Sequence, residues 1–159
     1  MKVTVIGLGY VGSVAAAGLA SANHEVLGVD IDEKRVKAMN RGVAPIYEPG
    51  LSDIIHRAIK SGNLRFATTT EVDEQLGEVV IIATGTPMSE SDTADLSQVY
   101  SAIEWAKGRM SDGDVVVMKS TVPPGTGVRL KDSLRERHYD KLRLQSRIPA
   151  RTSGGRGLA

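Results

Sequence analysis

The sequence contains no cysteine. Its absence excludes disulfides, thiolate metal sites and a cysteine nucleophile within this chain. No apolar run approaches the ~18–20 residues of a membrane span, so no membrane association is expected. The three histidines lack partners at metal-ligand spacing. His24 falls in a turn before a strand, His56 on the outward side of a helix and His138 near a helix end, so no metal is expected. Acidic residues are missing from the last stretch: residues 141–159 hold five basic side chains and no acid, which leaves 15 basic against 19 acidic residues in 1–140. The overall net charge of +1 therefore conceals a mildly acidic body, and that body offers no case for nucleic-acid binding. The basic end is either a solvated tail or a contact for an acidic partner. Met1-Lys2 leads straight into the first strand with no signal peptide, so a cytoplasmic protein is expected.

What is present suits one globular domain. A chain of 159 residues with 41% hydrophobic and 25% charged content can bury roughly two-thirds of its unfolded surface. Its organising stretch is the opening one. The β-branched run Val3-Thr4-Val5-Ile6 stops at Gly7, and Gly7, Gly9 and Gly12 follow at the spacing G-x-G-x-x-G. Helical spacing then begins. This is a strand, a tight turn and a helix N-terminus, the arrangement that cradles a dinucleotide pyrophosphate. The first glycine permits the turn, the second admits phosphate to the backbone, and the third lets helix and strand approach. Val11, Val14, Ala15, Gly18 and Leu19 recur at helical spacing and predict the inward face of that helix. Asn23 is expected to take the left-handed cap at its end.

Glu25 to Asp30 reads as a second strand ending in a carboxylate, 18 residues beyond Gly12. That is close to the ~20 expected for the acid that holds the adenosine ribose. Helices follow at about Glu33 to Asn40 and from Leu51 to Ser61-Gly62, separated by a Pro- and Gly-rich loop. Leu64 to Thr69 reads as a third strand, and Thr70 to Gly77 as a short turn or helix. The apolar run Val79 to Ala83 marks a strand buried on both faces. After it come Thr84-Gly85-Thr86-Pro87 and a mobile loop over Met88 to Ala94. Asp95, with Gln98 three residues on, predicts a capping box. The helix it opens has an inner stripe of Leu96, Val99, Tyr100, Ile103, Ala106 and Met110. Asp114 to Lys119 is a fifth strand, Gly127 to Arg137 a helix, and Lys141 to Leu144 a short sixth strand. Residues 145–159 have no periodicity and are expected to be disordered.

Strands and helices in alternation predict an α/β fold, a Rossmann-type doubly wound parallel sheet in three layers, with strand order 3-2-1-4-5-6 and the domain occupying 1–144. The glycine turn, Asp30, Gly85-Thr86-Pro87 and Ser120-Thr121 then fall at carboxyl ends of parallel strands, along one edge where ligands bind. Asp30 can accept hydrogen bonds from ribose hydroxyls, and its charge would repel a 2′-phosphate, so NAD is favoured over NADP. Arg35 either tolerates a phosphate or sits solvated on its helix. Thr86 and Thr121 serve the ligand or the turns beside them. Glu48 faces either the next helix N-terminus or the site.

The segments Gly7-Leu8-Gly9-Tyr10-Val11-Gly12, Val29-Asp30, Tyr47-Glu48-Pro49-Gly50-Leu51, Gly85-Thr86-Pro87, Ala94-Asp95-Leu96 and Lys119-Ser120-Thr121-Val122-Pro123-Pro124-Gly125-Thr126 occur in this order. Over about residues 1 to 140 the chain resembles the N-terminal domain of the UDP-glucose/GDP-mannose dehydrogenase family. The resemblance implies oxidation of a nucleotide sugar from the C6 alcohol to the acid with two NAD, in enzymes whose full-length forms are homodimers. It implies NAD contacts at Val11, Asp30, Arg35 (usually lysine there), Thr86 and Thr121, which join Gly7, Gly9, Tyr10 and Gly12 of the turn as the expected cofactor-binding residues. Thr121 also lies near the reacting centre by the same resemblance. The family's Asn-Pro-Glu-Phe continuation, its central helix and its C-terminal domain with the cysteine nucleophile do not follow here. The tail is therefore expected to be a frameshifted or truncated continuation, and the chain inactive alone, because thiohemiacetal chemistry needs a thiolate. Two other readings remain: a dehydrogenase of the 6-phosphogluconate or 3-hydroxyacid type, which lacks the Lys119–Thr126 segment, and a non-enzymatic NAD-sensing module.

Overall fold

A computed structural model describes residues 1–88, 93–135 and 142–144. The elements run β1 (Lys2–Ile6), α1 (Tyr10–Ser21), β2 (Glu25–Asp30), α2 (Glu33–Asn40), α3 (Leu51–Lys60), β3 (Leu64–Thr68), β4 (Val79–Ile82), α4 (Ser97–Lys107), β5 (Val115–Met118), α5 (Thr126–Arg135) and β6 (Leu142–Leu144). The strands form one parallel sheet in the order β3-β2-β1-β4-β5-β6, the expected topology. The central pairings align Val3 with Val26 on one side and with Val79 on the other. The expected end of α5 at Arg137, His138, the start of β6 at Lys141, the middle of the 88–94 loop and the tail from 145 lie outside the described residues.

Alternation along the strands divides the interior into two layers. Val3 and Val5 face α1, α2 and α3, packing with Ala16, Ala17, Met39 and Ile55. Ile6, Val80 and Ile82 face α4 and α5, with Val99, Ile103, Leu130 and Leu134. Between the layers, Thr4 is buried and its hydroxyl accepts the Gly77 N–H at 3.0 Å, which ties the segment before β4 to β1.

Three expectations are corrected. The inward face of α1 is Gly12, Ser13, Ala16, Ala17 and Ala20, while Val11 and Val14 are 42% and 40% exposed. The helix lies so close to the sheet that only small side chains fit beneath it, and the larger ones turn outward. On α4, Tyr100 faces out, with Val99, Ala102, Ile103 and Ala106 buried. No capping box closes that helix: Asp95 Oδ1 accepts the Ser97 N–H, but the Asp95 N–H donates to Pro87 O rather than to Gln98. Asn23, by contrast, takes its expected left-handed conformation at φ 62°.

Thr68, Thr70 and Glu71 build the turn after β3. Glu71 accepts the Thr68 N–H at 2.7 Å and the Thr68 hydroxyl at 2.9 Å. The backbone bond and then the hydroxyl hold its carboxyl below the ordinary glutamate range, with Lys37 adding a smaller effect and burial opposing. A lowered folded pKa gives a contribution that is complete above the ordinary value and disappears as pH falls through the folded one. Glu71→Gln should therefore lose less melting temperature than the wild type between about pH 7 and about pH 3. Gly28 supplies a packing test. A Cβ there would sit 2.5 Å from Phe66 Cδ1, so Gly28→Ala should cost about 1–3 kcal/mol in denaturant unfolding, and Phe66→Leu in the same background should return part of it.

Candidate functional site

The carboxyl ends of β1, β2, β4 and β5 open into one cleft of about 940 Å³. Gly7 leaves β1 in the left-handed region at φ 92°, and a Cβ on it would strike the Ala83 and Thr84 backbone at 2.7–2.8 Å. Gly12 is more constrained still: a Cβ would lie 1.7 Å from Gly7 O. It sits within the first turn of α1, which begins at Tyr10. Those two glycines are required by the protein's own packing.

Gly9 is different. A Cβ there would meet nothing within 4 Å, and its φ of −69° suits any residue. The fold does not require a glycine at this place, yet the residue lines the cleft. No side chain caps the helix start and its first turn holds no acid, so the partial positive charge of that end is left facing the cleft. An open position beside an uncapped helix N-terminus is a cradle for a phosphate, and the chemistry fits a dinucleotide.

Asp30 ends β2 and is 6% exposed. Its Oδ2 accepts the Leu8 N–H at 2.7 Å and Arg35 Nη1 at 2.9 Å, and its Oδ1 accepts the Asp32 N–H at 2.9 Å. A carboxylate has about four acceptor sites, so one site on Oδ1 is left. Sequence reasoning missed this second role: the acid also fixes the glycine turn through Leu8. Arg35 is neither a solvated helix residue nor a free cation. It is held by Asp30 and lies 3.7 Å from Asp32 Oδ2. A run of Asp30, Asp32 and Glu33 would have registered in the sequence as the setting for such a pairing.

Beyond the turn, Thr86 and Thr121 lie on the same cleft, with Thr84, Gly85, Lys119 and Ser120 between them. Ser120 Oγ donates to Thr84 O at 2.7 Å, and the Lys119 and Ser120 N–H groups reach Ile82 O. These bonds lock the loop after β4 to the loop after β5. Ile31, which is largely exposed, and Thr69, Ser101 and Trp105 also line the cleft. Trp105 Nε1 donates to Thr69 O at 3.1 Å and carries Arg109 over its ring. Tyr10 is exposed at the rim, and its hydroxyl meets Glu48 Oε2 at 3.4 Å. Glu48 therefore reaches toward the site, while its backbone carbonyl accepts the Leu51 N–H at the start of α3. His56 is exposed. Among the described residues no group of His, Cys, Asp and Glu could hold a metal ion, and no helix is long and apolar enough to cross a membrane.

Residues 1–150 match the NAD binding domain of the UDP-glucose/GDP-mannose dehydrogenase family. The UDP-glucose 6-dehydrogenase of Rhizobium meliloti (strain 1021) is 42% identical over 137 residues, 86% of this chain and 31% of that protein. A UDP-N-acetyl-D-mannosamine dehydrogenase of Methanococcus maripaludis (strain C7) is 37% identical over 142 residues, 87% of this chain and 32% of that protein. Among solved structures, the UDP-D-ManNAc dehydrogenase from Pyrococcus horikoshii superposes with a TM-score of 0.83 at 31% identity, over 95% of this chain and 38% of that one. The chain spans less than a third of the length of these curated relatives.

The two kinds of glycine separate experimentally. Gly9→Ala should melt within about 2 °C of the wild type but bind NAD at least tenfold more weakly, a loss of about 1.4 kcal/mol or more. Gly12→Ala should fail to fold or melt far lower. Circular dichroism melts and calorimetric titration give both readouts.

Proposed function

The chain belongs to the UDP-glucose/GDP-mannose dehydrogenase family, and from that premise we propose that it is the NAD-holding part of a nucleotide-sugar 6-dehydrogenase of the UDP-glucose to UDP-glucuronate type, two NAD being reduced per sugar. The cofactor half rests on one observation, the open cradle at Gly9 beside an uncapped helix end. The sugar half rests on the relatives named for UDP-glucose, at 42% and 41% identity. A relative named for UDP-N-acetyl-D-mannosamine, at 37%, supplies the competing substrate.

In this reading residues 1–144 form the cofactor unit. Bound NAD supplies the hydride acceptor. Gly7 and Gly12 hold the turn, and Gly9, Tyr10 and Val11 present backbone to the pyrophosphate. Asp30 offers the remaining acceptor site on Oδ1 to a ribose hydroxyl, and its charge opposes a 2′-phosphate. Arg35 keeps that carboxylate oriented. Thr86 and Thr121 flank the nicotinamide end, with Thr121 positioned near the reacting carbon. The family resemblance assigns the oxidation's covalent stage to a cysteine thiolate, and this chain has no cysteine, so it holds NAD without turning sugar over by itself. By the same resemblance the complete enzyme is a homodimer.

An NAD-sensing module is the alternative reading of the same cleft, and one series of measurements separates the two. Calorimetry should show NAD bound at least about tenfold more tightly than NADP. NADP preference would overturn the role given to Asp30. The chain with UDP-glucose and NAD should produce no absorbance of reduced cofactor. Supplying the remaining two-thirds of a relative in trans should restore it, with UDP-glucose oxidised faster than UDP-N-acetyl-D-mannosamine. No restoration with either sugar, in a mixture shown to associate, would favour the sensing module.

A further inference from the structure

Among the described residues, one buried side-chain oxygen has no hydrogen-bond partner, and it belongs to Thr84. Other buried hydroxyls are engaged. Thr4 accepts from the Gly77 N–H, Ser13 donates to Gly9 O, and Ser120 donates to Thr84 O. A buried hydroxyl without a partner destabilises the fold compared with a methyl group of the same shape. The strand leading to this place is Val79-Val80-Ile81-Ile82 followed by Ala83, all apolar. Valine at 84 would continue that run and fill the same volume. Threonine here carries a polar atom that no described residue meets.

Its position says what could use it. Thr84 lines the cleft between the glycine turn and Thr86, and it is half-buried although its Oγ1 is fully covered. Its backbone is held on two sides. The N and Cα lie against Gly7, where even one added carbon would come within 2.8 Å, and the carbonyl accepts Ser120 Oγ at 2.7 Å. The freedom left to the residue is rotation about χ1, which exchanges hydroxyl and methyl between staggered positions.

We propose that the Thr84 hydroxyl is a cofactor-binding group, turned inward in the unliganded chain and turned into the cleft to hydrogen-bond the nicotinamide half of NAD. The partner class follows from the chemistry of that half, which offers amide and ribose hydroxyl groups able both to donate and to accept, as a threonine hydroxyl can. Asp30 and the helix start stand at the other side of the turn, so the two halves of the dinucleotide are separated along the cleft. This rests on the NAD reading above.

The test uses the full 159-residue chain and two variants. Thr84→Val keeps the shape and removes the hydroxyl; Thr84→Ser keeps the hydroxyl. Without NAD, Thr84→Val should melt at or above the wild-type temperature, because it deletes an unpartnered polar group. In calorimetric titration with NAD its Kd should rise about five- to tenfold, the range of one neutral hydrogen bond, while Thr84→Ser stays within about twofold of wild type. The rise in melting temperature produced by a fixed NAD concentration should shrink in the same order. Thr84→Val binding NAD as tightly as the wild type would overturn the proposal and leave the NAD reading standing. A Thr84→Val chain that melts well below the wild type without NAD would also overturn it, by showing the hydroxyl satisfied within the fold. Failure of the wild type to bind NAD would remove the cofactor reading itself, and this proposal with it.

Discussion

The cleft depends on how closely the first helix approaches the turn that precedes it. Gly12 stands over the Gly7 carbonyl, where an added carbon would come within 1.7 Å. Nothing larger than hydrogen fits. The contact places the start of α1 directly above the end of β1, and the rest of the helix follows. Its underside is Ser13, Ala16, Ala17 and Ala20, and Val11 and Val14 are turned to solvent. Hydrophobic burial by this helix is modest per residue, so close backbone approach and dispersion contribute in its place. The return is positional: the helix end points its unpaired donors at the site rather than past it.

Asp30 joins that turn to the rest of the edge. It is a buried carboxylate, which is costly unless its charge is met by several donors. Here the donors are Leu8 N–H from the turn, Asp32 N–H two residues further on and the Arg35 guanidinium from α2. Two are backbone groups whose geometry is fixed, and the third is charged, so the bonds are of the stronger, charge-assisted kind. The consequence is coupling. A residue that would otherwise serve only the ligand also sets the shape of the glycine turn, and its loss changes both. That is why its spare acceptor site can be held in one orientation before any ligand arrives.

The fold was legible in the sequence wherever a pattern had one physical meaning. Short apolar, β-branched runs marked the strands, their alternation with helical spacing implied the parallel order, and Asn23 marked its left-handed turn. The inward face of α1 was not legible by periodicity. Both the small and the branched residues recur at helical spacing, and the choice between them is made by the distance to the sheet, which no local pattern encodes. Tyr100 and the capping box failed for a related reason. The Asp95 N–H is taken by Pro87 O across the loop, a tertiary contact that removes the donor a capping box needs. The site was half legible. Glycine spacing, Asp30 and the two threonines fell on one edge as expected, whereas the bond from Asp30 to Leu8, the Arg35 pairing and the buried oxygen of Thr84 depend on side-chain direction. A threonine closing an apolar strand was the available signal for the last of these.

The far end of the cleft carries a different chemistry from the Asp30 side. Removing a hydride from an alcohol carbon also releases the hydroxyl proton, so a base must stand within hydrogen-bond reach of that oxygen. Between the loops after β4 and β5, the described cleft-lining side chains are the hydroxyls of Thr84, Thr86, Ser120 and Thr121, the Gln98 amide and Lys119. Hydroxyls and amides of this kind hold a ligand by hydrogen bonds and do not accept a proton at neutral pH. The carboxylates of the cleft, Asp30 and Asp32, belong to the other side of the glycine turn. The described side chains of this edge can therefore hold and orient a hydride acceptor, the part of the reaction that hydrogen bonds alone can serve.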